Sequence, residues 1–596
     1  MLSIFSAAFF DRETEETIPV VTYVFMLLLY LAGIAGVIAH AVELLALYIV
    51  SGSVFFAALG IYRNKSAGDY LKSALSKLKS RGIWVFLIFC VLSVAVSMHL
   101  RVTNWDDLHY WAIFPKDMYV INGVPTGGMS STLYQDYFPI VQYLYFTVFK
   151  ILGHFSEPAM FAVNYILILV SLLPFFVKKK EQKELSYLLC VLFGIILAQV
   201  CSYQMYHCLG VDIIMTFLFG SALICIFDEK KDLFYYIRFI SVTMVLTMSK
   251  TTGLIFAAIA IAVFAVENFR SKPKEIAWIL LTGSANLVFY YSWKYFCRIK
   301  GNTTYLSNVL NSNIESEAGI VFPSYTKDTV REFVKAFFMK SLNGGVLGLS
   351  AFAMLIISLV IYIYLLKKNR EKLRRGLELA VLMCGMLGYL AVMLYIYLFV
   401  FDEWEALSMS SYDRYIATFF GGILCAAIYF ISREDIKKIL INAALLIFMA
   451  VTVNYPFALD TMIPKRFEEK YGPMVSIIDG LDEELSGVFT DDMHYGDEII
   501  FVDGKDDMAR SKSIPYCAVP YVSRVNSLID RESYTADELI TITRDRNAKY
   551  VIFLDRSEDE KVRIDNEETL FADGESMETD VLYEYDRERD ILVKAE

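Results

Sequence analysis

Apolar runs close to the roughly 20 residues that cross a bilayer recur along most of the chain before Tyr455. They predict spans at Ile18–His40, Ala41–Tyr62, Gly82–Leu100, Glu157–Val177, Leu185–Ser202, Leu209–Phe227, Leu233–Ser249, Thr251–Val266, Ile276–Phe296, Val346–Leu366, Leu377–Val400, Ile416–Ile431 and Ile439–Tyr455. The first run lacks the charge order and small-residue cleavage site of a signal peptide, so it is expected to be a retained span. Past Phe457 the pattern changes. Strand-like runs ("EIIFVDG", "AKYVIFLD") alternate with the helical stretch "TADELITITRDRN", which predicts a small α/β domain over 457–596 after a membrane module over 1–456.

The segments between spans carry the sidedness. "RNKSAGDYLKSALSKLKSR" (Arg63–Arg81), "KKKEQK" (Lys178–Lys183), "EKK" (Glu229–Lys231), "RSKPK" (Arg270–Lys274), "KKNREKLRR" (Lys367–Arg375) and "REDIKK" (Arg433–Lys438) are all basic and are expected in the cytoplasm. One segment decides whether they can share a side. "FPIVQYLYFTVFKILG" (Phe138–Gly153) is apolar but short and carries Lys150; if it crossed, every later basic loop would move outside. It is therefore expected to be a juxtamembrane helix. The fold class that follows is a polytopic α-helical membrane protein of about thirteen spans, N-terminus cytoplasmic, with an extracytoplasmic C-terminal α/β domain.

Charge sharpens this picture. From Phe457 onward 17 basic residues face 35 acidic ones, a balance of −18, so a chain of net charge −11 carries +7 in its membrane part. The acidic region argues against nucleic acid and against anionic lipid as its partner. The nine cysteines lie mostly in apolar runs without metal-like spacing and read as small core residues.

This topology leaves four segments outside: Arg101–Ser156, Ser202–Gly210, Arg298–Gly345 and Phe401–Arg414. The turn "SKTTG" (Ser249–Gly253) faces out as well. In the long segment, "DTVREFVKAFFMKSL" spaces Val330, Phe333, Val334, Phe337 and Phe338 as one face of an amphipathic helix lying on the membrane. Asp106, Asp107, His207, Lys250 and Arg414 all fall on the outer side, and Asp212 sits near the outer end of a span. Read as a helix, "NWDDLHYW" (Asn104–Trp111) puts Trp105, Leu108, Trp111 and Ala112 on one stripe suited to the lipid interface. Asp106 then points the opposite way, between His109 and Tyr110, with Asp107 beside the stripe. A third carboxylate follows at Asp136, with Tyr137 beside it.

Here the chain resembles the GT-C class of membrane glycosyltransferases, the superfamily of lipid A aminoarabinose transferases and protein O-mannosyltransferases. In that class an acidic pair on the first large external loop is followed by a Tyr-Pro-Pro-like motif and a helix ending in Phe/Leu-Gly. The counterparts are "DD", "DYFP" and "KILG". "SSYDRYIATFFGG" (Ser410–Gly422), with Arg414 and Tyr415, is similar to the class's Glu-Arg-Tyr/Phe motif, and "TMSKTTGLIF" to its Lys-bearing turn. The chain departs from the pattern in its second acid, its single proline and two extra leading spans.

The resemblance implies an inverting glycosyltransferase that moves a sugar from a polyprenyl-phosphate donor to a cell-envelope glycan or lipid on the extracytoplasmic face. Asp106 is expected as the general base, with Asp107 or Asp136 orienting the acceptor or sharing that role. Arg414 and Lys250 are expected at the donor phosphate, and His207, Asp212, Tyr137 and Tyr415 around the substrates. Lys250 as a snorkelling lysine, Arg414 as a local partner of Asp413 or Glu403, and His207 and Asp212 as hydrogen-bonding structural residues are the plainer alternatives. No resident cofactor or metal is expected, although three acids on one loop leave a divalent cation open. The competing functions are a lipid-linked glycan flippase or transporter, which predicts charges lining a path between two related halves, and a polysaccharide polymerase or ligase, which leaves the Asp pair idle.

Overall fold

An apolar run fills its backbone hydrogen bonds inside its own segment when it folds as a helix, which is what a bilayer demands. The computed structural model describes residues 1–132, 134–178, 182, 184–201, 207–228, 230–269, 273–302, 322–345, 347–368, 372–432, 439–489, 493–502, 508–528, 533–554, 563–572 and 576–595. In chain order the helices are α1 (Leu2–Phe10), α2 (Thr14–Ile34), α3 (Ala41–Asn64), α4 (Ala67–Lys77), α5 (Arg81–Ser97), α6 (Ile113–Ile121), α7 (Ile140–Leu152), α8 (Glu157–Leu172), α9 (Glu184–Cys201), α10 (Asp212–Ile226), α11 (Leu233–Thr247), α12 (Gly253–Asn268), α13 (Pro273–Lys300), α14 (Thr326–Met339), α15 (Ala351–Lys368), α16 (Lys372–Phe399), α17 (Glu403–Ser408), α18 (Tyr412–Ser432), α19 (Ile439–Thr452), α20 (Tyr455–Met462) and α21 (Pro464–Val488). Much of the long segment Arg298–Gly345, at 303–321, and most of the basic loop residues at 179–183, 270–272, 369–371 and 433–438 lie outside the described residues.

Five described helices are long and apolar enough to cross a membrane, or six if the pair α4–α5, bent by 52°, is one span. On α3 the side chains of Leu47, Val50, Val54 and Phe55 are more than half exposed, an apolar face that is stable against hydrocarbon and not against water. The chain is a multi-pass helical membrane protein. Several expected spans are shorter than the bilayer. The runs Leu209–Phe227, Leu233–Ser249 and Thr251–Val266 contain helices of 15, 15 and 16 residues. A 15-residue helix is about 22 Å long. Every residue of α10 is buried, so protein and not lipid surrounds it and its length need not match the membrane. The apolar α7 is likewise packed between α2, α3, α6 and α8, with Ile140, Val141, Tyr143, Tyr145, Phe146 and Phe149 buried.

Charge gathers at the two ends of this bundle. Past the end of α10, Asp228 receives Arg12, whose second nitrogen reaches Asp232 at the start of α11, and Arg238 approaches Glu16 and Asp228. Glu267, one residue before the end of α12, is held by Lys231, Arg374 and Arg375. Arg81 and Lys178 both pair with Glu184 at the start of α9. At the opposite ends of α10, α11 and α18 stand Asp212, Lys250 and Arg414.

The C-terminal region folds as β1 (Glu498–Val502), α22 (Met508–Ala518), β2 (Arg524–Leu528), β3 (Ser533–Thr535), α23 (Ala536–Asp545), β4 (Tyr550–Phe553), β5 (Arg563–Asp565), β6 (Leu582–Asp586) and β7 (Ile591–Lys594). Five strands form one sheet in the order β2-β1-β4-β6-β7, parallel across β2, β1 and β4 and antiparallel beyond. β1 and β4 are buried on both faces, which is why "EIIFV" and "YVIF" read as unbroken apolar runs. Ile500, Val502, Val551 and Phe553 pack with Leu539 and Ile540 of α23, while Ile499, Phe501 and Ile552 share a core with Ile514 of α22. The capping box of Thr535 and Glu538 starts α23.

This region docks on the acidic loop, the segment Arg101–Ser156, and on Glu157 beside it. Arg101 spans Glu157 and Asp479, at 2.9 and 2.7 Å. Tyr516 donates to Glu157 at 2.6 Å, and Lys116 donates to the Tyr516 carbonyl at 2.8 Å. The Ser523 hydroxyl donates to the Gly128 carbonyl at 2.6 Å, and the Tyr495 hydroxyl donates to Asp117.

Candidate active site

Two helix N-termini meet beside the acidic loop. α10 begins at Asp212 and α18 two residues before Arg414, and the helices run parallel in contact. Gly220 and Gly422 set their separation. A Cβ at Gly220 would stand 2.9 Å from Cys425 and 3.2 Å from the Gly422 carbonyl, and one at Gly422 2.6 Å from Phe219. Gly220 lies eight residues beyond Asp212, and Gly422 eight beyond Arg414, so this close approach holds the two charged side chains at the same level. Lys250 arrives on the turn between α11 and α12. Gly253 closes that turn where a Cβ would strike the Leu246 carbonyl at 2.0 Å.

Arg414 is the centre of the cluster. One terminal nitrogen pairs with Asp106, the other donates to the Tyr415 hydroxyl at 3.0 Å, and Nε lies 3.4 Å from Asp212. Lys250 donates to both Asp212 oxygens, at 3.0 and 3.2 Å. The Lys250 ammonium and the Arg414 guanidinium lie 4.8 and 4.9 Å from the centre of the Tyr415 ring. Asp106 is the most open of the four charged groups, its side chain 24% exposed against 7–12% for the others. Asp212 begins a helix, where the dipole favours a carboxylate. Arg414 lies in the first turn of another, where that dipole is unfavourable to a cation and favourable to an anion held by it.

The adjacent acids are not equivalent. Ala112 N–H bonds to the Asp107 carbonyl at 2.8 Å, so Asp107–Trp111 is a π-helical turn instead of the expected α-helix. Asp107 is fully buried and accepts the Leu209 amide on both oxygens, at 3.1 and 3.0 Å, with the Cys208 thiol at 3.7 Å. Burial pushes its carboxyl up to about 8, the Leu209 amide pulls it down, and the Asp106 charge adds to the rise. A protonated Asp107 leaves Asp106 and Asp212 to balance Arg414 and Lys250. The predicted lipid-facing stripe is also corrected. Leu108, Trp111 and Ala112 are buried because α22 packs on this turn, and Trp105, 37% exposed, stacks on His109 at 4.4 Å.

Tyr137 stands in an aromatic wall with Tyr134, Tyr110 and Trp111, at ring distances of 4.8, 5.0 and 6.1 Å, within electrostatic reach of Asp106, Asp136 and Tyr415. Asp136 belongs to a separate pair: its carboxylate receives Lys294 at 2.6 Å and its carbonyl the Trp293 indole at 2.9 Å. His207 lies apart from the cluster, bonded to Thr103 at 2.7 Å and stacked on Tyr471 at 3.9 Å. Burial lowers its pKa to about 4 and keeps it neutral. Asp106, Asp212, Lys250, Arg414 and Tyr415 thus come together, with Asp107 fixed behind them and Tyr137 alongside. Sequence reasoning missed Lys294, although a lysine near the C-terminal end of the run Ile276–Phe296 was a signal for it, and it missed the Gly220–Gly422 contact, for which there was none. Among the described residues no group of three or more His, Cys, Asp or Glu side chains is placed to hold a metal ion.

No family model matches the sequence, and no curated protein matches it. The fold is similar to the crystal structure of ArnT from Cupriavidus metallidurans bound to undecaprenyl phosphate, at 13% identity and a TM-score of 0.44, over 79% of this chain and 93% of that one.

Proposed function

We propose that the protein is an inverting glycosyltransferase that takes a sugar from a polyprenyl-phosphate carrier and passes it to a cell-envelope glycan or lipid on the extracytoplasmic side. The observation that carries this reading is one cluster at one end of an apolar bundle: Asp212 and Arg414 at the starts of two parallel helices, Lys250 paired with Asp212 from a neighbouring turn, and the more open carboxylate of Asp106 paired with Arg414. Basic residues at the opposite end support a cytoplasmic assignment for that end.

In this mechanism an acceptor oxygen attacks the anomeric carbon as the bond from that carbon to the phosphate oxygen breaks. The acceptor proton passes to Asp106, and polyprenyl phosphate leaves with the electron pair of the broken bond. Arg414 exchanges Asp106 for the phosphate, presenting a planar fork to its oxygens, and Lys250 adds a compact ammonium. Asp107 holds the acidic loop against Leu209 and stays out of the reaction. Asp136, tied to Lys294, orients the loop that carries Tyr137.

Purified protein in nanodiscs, a panel of polyprenyl-phosphate sugars and envelope extract as acceptor test this, with release of polyprenyl phosphate as the signal and a chelator arm alongside. Asp106→Asn is expected to lose roughly 10²–10⁴-fold in turnover, and Arg414→Ala to lose turnover as well. Consumption of no donor, or an Asp106→Asn variant as active as the wild type, overturns the proposal.

A further inference from the structure

The segment that leads into Arg414 is held in a conformation that L-residues rarely adopt. Met409 and Ser411 have φ values of 52° and 54°, and neither is glycine. Three side chains from elsewhere in the chain grip carbonyls on either side of Arg414. Lys340 donates to the Met409 carbonyl at 2.7 Å, Tyr397 to that of Ser410 at 2.6 Å, and Tyr389 to that of Tyr415 at 2.8 Å. Lys340 is the residue that caps the C-terminus of α14, and its ammonium lies 5.8 Å from the Tyr412 ring, with Asp413 the nearby acid. Phe333 of the same helix meets the rings of Tyr397 and Tyr412 at 5.9 and 5.5 Å. A lysine that gives up water for a backbone carbonyl, when its helix offers solvent on the other face, is spent on geometry.

We infer that Lys340 is a positioning residue for Arg414: it pins the left-handed turn Met409–Ser411 and thereby aims the guanidinium at the phosphate. The inference rests on the proposed reading of Arg414 as the phosphate ligand. It also gives α14 a function, since a shift of that helix moves the phosphate site through one hydrogen bond.

The test is the affinity of the full chain in nanodiscs for a polyprenyl monophosphate. Lys340→Met keeps the stem and removes the donor, and is expected to weaken binding about tenfold, the scale of one charge-assisted hydrogen bond. Lys340→Arg restores most of the loss. Lys335→Met, on the exposed side of α14 where Lys335 pairs with Glu332 at 2.9 Å, leaves affinity unchanged. In an Arg414→Ala background Lys340→Met adds less than about twofold, because residues that act through one another are not additive. If Lys340→Met fails to fold, Tyr397→Phe removes only the hydroxyl on the next carbonyl and is expected to weaken binding severalfold. An unchanged affinity in a folded variant, or a full effect without Arg414, overturns the inference. A wild type that does not bind the carrier at all overturns the reading beneath it.

Discussion

Asp106→Asn separates two roles that the cluster gives to one carboxylate. Asp106 is paired with the guanidinium that the proposed mechanism needs for phosphate. Any anion must displace it, so removing its charge removes a competitor. The pair is mostly shielded, with side chains 11% and 24% exposed, so the hydrogen bond lies in the range of about 1.5–3 kcal/mol for a charged partner. The asparagine carbonyl keeps a weaker contact of about 1 kcal/mol, leaving a net release of about 0.5–2 kcal/mol. At about 1.4 kcal/mol per factor of ten, carrier affinity should rise roughly 2- to 30-fold. Turnover falls over the same substitution, because the base is gone. Titration of polyprenyl monophosphate into wild type and variant in nanodiscs, paired with a single-turnover transfer assay, reads both effects. Equal or weaker binding by the variant refutes the competition between Asp106 and phosphate. Tighter binding with undiminished turnover keeps the competition and removes Asp106 as the base.

Two further outcomes follow from burial. Asp117 accepts Ser131 N–H and Oγ–H at 2.8 and 3.0 Å as well as the Tyr495 hydroxyl, and burial pushes it up to about 7. A carboxyl raised by folding favours the folded state at low pH, and that advantage is lost as pH rises from about 4 through its folded value. The melting temperature should therefore fall as pH rises from about 4 to about 7, and Asp117→Asn should remove its share of the slope while that of Asp107, which runs on to about 8, remains; an unchanged slope refutes this. His207, lowered to about 4, acts on the other side: its contribution is complete above about 6.5 and is lost as pH falls toward 4. Gly422→Ala places a methyl 2.6 Å from Phe219 and 3.0 Å from the Thr216 carbonyl. It is expected to cost about 1–3 kcal/mol by overpacking. Parting α10 from α18 should also lower turnover more than tenfold, so a variant with wild-type melting and turnover would show that this contact does not set the site.

Much of the architecture was legible in the order of residues. Helices in lipid declare themselves by apolar length, since each satisfies its own backbone, and loop charge is a local property. The C-terminal strands were readable as short unbroken apolar runs, and α23 from its amphipathic pattern behind Thr535 and Glu538. The charged cluster was legible as a set of residue types at helix ends. Pairing was not. Asp106 and Arg414 are 308 residues apart, and Asp136 and Lys294 158, so no local pattern links them. Two adjacent aspartates look alike in a sequence. They differ because a π-helical turn directs Asp107 onto the Leu209 amide and leaves Asp106 at the mouth of the cluster. By itself the sequence determined where most helices and strands run, because periodicity and hydropathy act over a few residues. The tertiary structure alone decided which charges share a site, because that depends on how closely α10 and α18 approach at Gly220 and Gly422 and on where the C-terminal region presses the acidic loop.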